Sequence, residues 1–115
     1  MFTDIVGYSK MVGKDEKHAL QLLDAHNQIL TTAIDKFRGS VIKFIGDSVF
    51  AEFSKPEAAA NCAIDIQKKL IDRNKIHSKN DRVHIRIGLH MGDLVVKGDD
   101  LFGNTVNLGS RIEGV

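Results

Sequence analysis

The sequence predicts an α+β domain with chain order βαββαβ, an antiparallel sheet carrying its helices on one face. Three observations lead there. Two long stretches repeat apolar residues at helical spacing, a Gly-Asp pair separates two runs rich in β-branched and aromatic residues, and one segment alternates between apolar and polar residues.

Residues 1–6 read as the end of a strand that closes near the charged Asp4, so more of that strand is expected upstream. Between residues 15 and 37 a wide helical stripe is formed by Ala19, Leu22, Leu23, His26, Ile29, Leu30, Ala33, Ile34 and Phe37. Asp15 is the expected N-cap of that helix and Gly39 its expected stop. Residues 41–45 and 48–53 then form a β-hairpin about the two-residue turn Gly46-Asp47, which sets Asp47 at the tip.

Ser54 and Glu57 match an S-x-x-E capping box with Pro56 in the first turn. Ala59, Ala63, Ile66 and Leu70 mark one face of the helix that follows, which is expected to run to about Lys75. Val83, Ile85, Ile87, Leu89 and Met91 alternate with His84, Arg86, Gly88 and His90, the period-two pattern of a strand with one buried face. Gly92-Asp93 offers a second two-residue turn, followed by a short strand to Lys97 and a loop over residues 98–100. A third helix is expected from about Thr105, cut off after roughly two turns, too short to stand without packing. Together these elements give a ferredoxin-like core in one domain over residues 1–115, a domain read as partial at both ends.

Composition narrows the function. Hydrophobic residues at 43% and charged residues at 27% exclude disorder, collagen-like sequence and low complexity. Sixteen basic against fifteen acidic residues leave a net charge of +1, so no nucleic acid partner is expected. Cys62 is the single cysteine, which rules out an intrachain disulfide and a thiolate-rich metal site and suits a reducing compartment. On the second helix it reads as a small buried hydrophobe, and the five histidines as helix and sheet residues without zinc-ligand spacing. No apolar run approaches the ~18 residues of a membrane span. The expected setting is cytoplasmic, either as a free protein or as the cytoplasmic domain of a larger, membrane-bound one.

The chemistry-bearing residues are few. Asp4 at a strand end and Asp47 at the hairpin tip can converge if their strands are neighbours, and paired carboxylates suit hard divalent cations, which take one or two such groups and fill their shell with water and phosphate oxygens. Good turn chemistry alone also places Asp in such turns, with Asp93 as the comparison. Lys43 lies inside a strand between Ile42 and Phe44, where it either snorkels from an exposed sheet face or pairs with an acceptor such as Asp47. Asn107 and Arg111, four residues apart, share one face of the third helix, where an amide and a guanidinium can grip a sugar or phosphate as readily as they solubilise the helix.

Three motifs appear in order: F-T-D-I-V-G-Y-S (residues 2–9), K-F-I-G-D (43–47) and D-L-F-G-N-T-V-N-L-G-S-R (100–111). With them the sequence resembles the class III nucleotide cyclase catalytic domain, over essentially the whole chain. The resemblance implies that Asp4 and Asp47, with the Ile5 carbonyl, bind two divalent cations, Mg²⁺ or Mn²⁺. Lys43 and Asp100 resemble the purine-selecting pair, with Asp99 as a neighbouring alternative. An ammonium and a carboxylate complement the N1 acceptor and N6 donor of adenine, and the opposite edge of guanine is matched in the family by Glu and Cys. ATP is therefore expected over GTP. Asn107 resembles the ribose-orienting asparagine and Arg111 the arginine that meets charge developing on the α-phosphate.

The implied activity is conversion of ATP to 3′,5′-cyclic AMP and pyrophosphate by a two-metal mechanism in intracellular signalling. In the family the metal aspartates of one subunit face the purine and transition-state residues of the other, so a homodimer with two composite sites is implied. Lys43 and Asp47 share one hairpin yet would act at opposite ends of a nucleotide ~10 Å or more long, which agrees with that division. Relative to the family the chain lacks most of the first strand, the end of the third helix and the C-terminal strands that carry a triphosphate-contacting lysine. Regulatory domains are expected in the parent protein. The alternatives are a non-catalytic nucleotide-binding or dimerisation module derived from a cyclase domain and, on architecture alone, another two-metal palm-like domain such as a diguanylate cyclase or polymerase.

Overall fold

The computed structural model describes residues 1–90, 95–97, 100–102 and 111–113. The chain runs β1 (Phe2–Ile5), α1 (Tyr8–Lys14), α2 (Glu16–Lys36), β2 (Ser40–Ile45), β3 (Ser48–Glu52), α3 (Pro56–Lys75), a 3₁₀ turn (Lys79–Asp81), β4 (Ile85–Gly88), β5 (Val95–Lys97), β6 (Asp100–Phe102) and β7 (Arg111–Glu113). Strands β2-β3-β1-β4 lie side by side in that order, every neighbouring pair antiparallel, which is the sheet of a βαββαβ fold. β7 adds a fifth strand beside β4, and β5 and β6 pair separately.

Pleat and helix periodicity divide the molecule into two layers. Thr3 and Ile5 on β1, Val49 and Ala51 on β3, and Ile85 and Ile87 on β4 are buried. Against them pack Leu22, Leu30, Ala33 and Ile34 of α2 and Cys62, Ala63, Ile66 and Leu70 of α3, all but Cys62 members of the two sequence stripes, whereas Ala59 of the second stripe is only partly buried. The opposite face is outlined by the Phe2 and Phe50 rings, stacked with centroids 6.0 Å apart, and by Arg86. Asp15 caps α2 as expected, accepting the His18 N–H at 3.1 Å. The hairpin turns at Gly46, whose φ of 56° is the left-handed conformation that glycine tolerates.

Several expectations are corrected. Residues 8–14 form α1, a helix with no buried residue and hence no apolar stripe to announce it. The stop of α2 is a Schellman motif in which Arg38, not Gly39, takes positive φ, at 61°. Gly39 N–H bonds the Ile34 carbonyl and Arg38 N–H the Asp35 carbonyl. Gly39 instead makes room for a neighbour, since a Cβ there would come within 2.4 Å of the Phe53 ring and the ring would have to shift. The Ser54–Glu57 box is not used: α3 begins at Pro56 after Lys55, without a side-chain cap.

The ladder of β4 covers residues 85–88 rather than the whole alternating run. Ahead of it Val83 is held by Asn74, which donates through Nδ2 to the Val83 carbonyl at 2.8 Å and accepts the Val83 N–H at 2.9 Å. Asp100, expected in a loop, opens β6. Residues 111–113, expected in the third helix, form a strand against β4, where pairing satisfies backbone groups that a two-turn helix would leave open. The Gly92-Asp93 turn lies outside the described residues.

Candidate functional site

Antiparallel pairing brings one end of β1 to the hairpin tip. β3 begins only at Ser48, so its ladder with β1 runs through Phe2↔Phe50 and Thr3↔Val49 and then ends. Asp47 takes over there: its Oδ2 accepts the Ile5 N–H at 2.8 Å, across 42 residues of chain. The Asp47 carboxylate is thereby fixed against the residue next to Asp4. On the other side of β1, Asp4 sits directly opposite Arg86 of β4, and Arg86 Nε donates to Asp4 Oδ1 at 2.9 Å.

Two carboxylates and the Ile5 backbone are thus gathered at one strand end. An all-oxygen set of two carboxylates and a carbonyl fits a hard divalent cation that keeps part of its water shell. Among the described residues no cluster of three or more His, Cys, Asp or Glu side chains competes as a metal centre.

Two further groups feel this site. Tyr8, at the start of α1, has its phenol pushed up, by burial first and then by the fields of Asp47, Asp24 and Glu16. His26 is fully buried on α2, donates through Nδ1 to Asn27 Oδ1 at 2.9 Å, and has an Nε2 without a partner among the described residues. Burial holds its imidazole below the ordinary histidine value, against smaller opposing pulls from the Asn27 hydrogen bond and the Asp47 charge.

The other predicted residues that are described stand at separate positions along the strands. Lys43 lies on edge strand β2, opposite Phe50, just past a bulge between Val41 and Lys43. Asp100 opens β6 opposite Lys97, in the separate pair. Arg111 opens β7 opposite Gly88, and Asn107 lies outside the described residues. Arg86 is the residue of this cluster that sequence reasoning missed. A charge on the polar side of an alternating strand carries no signal of its own, and only the β1–β4 register sets it opposite Asp4.

Comparison with known proteins places this chain in a family. A sequence model described as the adenylate and guanylate cyclase catalytic domain matches residues 1–115. A Rhizobium meliloti protein provisionally named adenylate cyclase 3 is 34% identical over 113 residues, 97% of this chain and 19% of that protein. An adenylate/guanylate cyclase/hydrolase structure from Silicibacter pomeroyi superposes with a TM-score of 0.80 at 31% identity, over 91% of this chain and 62% of that one. A bacterial light-regulated adenylyl cyclase gives 0.76 at 28% identity, over 91% of this chain and 35% of its own. The chain thus spans about a fifth of the first relative and under two thirds of either structure. On the full-length match and the shared fold, the chain belongs to the adenylate and guanylate cyclase catalytic domain family.

Proposed function

We propose that this chain is the catalytic domain of an adenylate cyclase-like phosphorus–oxygen lyase that converts ATP to 3′,5′-cyclic AMP and pyrophosphate. The observation that carries this reading is the Asp47–Ile5 hydrogen bond at 2.8 Å, which brings the second aspartate to the strand end that holds the first. Asp4, Asp47 and the Ile5 carbonyl would hold two divalent cations, whose chemistry is to acidify the ribose 3′-hydroxyl and to neutralise phosphate charge. In the reaction the 3′-hydroxyl gives its proton to solvent and its oxygen bonds to the α-phosphorus as the bond from that phosphorus to the α–β bridging oxygen breaks and pyrophosphate leaves. The chain's own contribution is position and field. Lys43 and Asp100 would select adenine, Asn107 would orient the ribose, and Arg111 would meet the charge on the α-phosphate, each by the motif it occupies.

A homodimer with composite sites, residues 1–115 as one catalytic domain, and regulatory segments elsewhere in the parent protein complete the proposal. The test is cyclic AMP formation from Mn²⁺-ATP by the full-length protein, with GTP as the competing substrate and protein concentration varied. Activity should rise faster than linearly with concentration, and Asp47→Asn, which keeps an acceptor for Ile5 N–H, should abolish it. Lys43→Glu with Asp100→Cys should erode the preference for ATP. A protein that dimerises and binds ATP yet forms no cyclic nucleotide would instead be a nucleotide-binding and dimerisation module.

A further inference from the structure

The Asp4–Arg86 pair stands in the path of any cation that uses Asp4. The two residues are direct cross-strand partners, their side chains 33% and 45% exposed, and the guanidinium occupies Oδ1 of the aspartate at 2.9 Å. Two carboxylates converging on one strand end repel each other, and Arg86 brings a positive charge into contact with the Asp4 carboxylate. Glu113 takes the register position opposite Arg86 on β7, so Arg86 lies between two acidic positions in one row of the sheet.

We propose that Arg86 is the resident counter-ion of Asp4, which a divalent cation displaces when it binds, so that Arg86 sets the metal affinity of the site. The inference rests on the reading of Asp4 as a metal ligand. A guanidinium and a dication compete for the same carboxylate oxygen, and each disfavours the other by like-charge repulsion. Arg86 therefore lowers cation affinity while it keeps the metal-free carboxylate oriented and neutralised. It is a positioning residue whose influence acts through Asp4.

The probe is Mn²⁺ alone, titrated into the full-length protein and followed through the electron paramagnetic resonance signal of the free ion. Wild type is compared with Arg86→Gln, Arg86→Lys and Asp4→Asn, with a thermal melt for each. An ion pair this exposed is worth at most about fivefold in an equilibrium constant. Arg86→Gln should thus bind Mn²⁺ roughly two- to fivefold more tightly, a gain that shrinks as salt rises to about 0.5 M. Arg86→Lys keeps the charge and should stay near wild type. An Arg86→Gln affinity that is unchanged or weaker overturns the proposal, as does equal tightening by Arg86→Lys. Asp4→Asn separates the two levels of the argument: if it binds Mn²⁺ as tightly as wild type, Asp4 is no ligand and the reading of the site itself fails.

Discussion

Replacing Asn74 by alanine tests how the helical layer sets the strand that carries Arg86. The Asn74 amide meets both backbone groups of Val83, at 2.8 and 2.9 Å, and both residues are buried, at 7% and 1% exposure. Alanine removes both bonds and leaves a donor and an acceptor without partners away from water, at about 1–3 kcal/mol each, for a total loss of about 2–6 kcal/mol. At about 4 °C per kcal/mol this lowers the melting temperature by roughly 8–24 °C. Urea denaturation followed by circular dichroism measures it, with an unchanged slope showing that the two-state comparison holds. Because Val83 leads into His84, whose carbonyl accepts the Val6 N–H at 2.8 Å, the same substitution should loosen the β1–β4 register and the Asp4–Arg86 pair. A loss below about 0.5 kcal/mol, ordinary for a surface change, would refute the argument by showing that water replaces the amide.

Two further outcomes follow from buried contacts. The native value of His26 lies below its unfolded 6.5, so the unfolded chain binds the extra proton first as pH falls. The His26 contribution is complete above that unfolded value and is lost as pH drops below it toward the native one, by up to about 1.4 kcal/mol per pH unit. His26→Gln should flatten that slope, and an imidazole resonance that titrates near 6.5 in the native protein contradicts the assignment. Gly88→Ala would set a Cβ 2.4 Å from Phe2 Cε1 and drive the ring off Phe50. A loss of about 1–3 kcal/mol is expected, largely recovered by adding Phe2→Leu, and an undiminished stability in urea would show that the ring yields freely.

The legible parts of this protein are those whose signal is local. The stripe of α2, the Asp15 cap and the Gly46-Asp47 turn are each contained within a few turns or residues, and each stands where the sequence sets it. Ser54 and Glu57 match a capping pattern equally well, yet Lys55 and Pro56 open the helix, because a cap motif competes with the tertiary constraints on the incoming chain. The Asp4–Asp47 convergence was an inference from strand order. The bond that fixes it, from a side chain at a hairpin tip to a backbone N–H 42 residues away, has no periodicity to betray it.

By itself the sequence determined the βαββαβ order, the buried faces of both long helices and the family motifs, because amphipathic periodicity and turn chemistry depend on neighbours in the chain. Only the tertiary structure decided that Arg38 rather than Gly39 turns left-handed, that Asn74 clamps Val83, that residues 111–113 pair with β4, and that Arg86 meets Asp4. The two strand pairings are matters of register between elements distant in sequence, and a one-residue slip would exchange a strand's faces and dissolve them, while the helix end and the Asn74 clamp depend on how the chain leaving each helix packs.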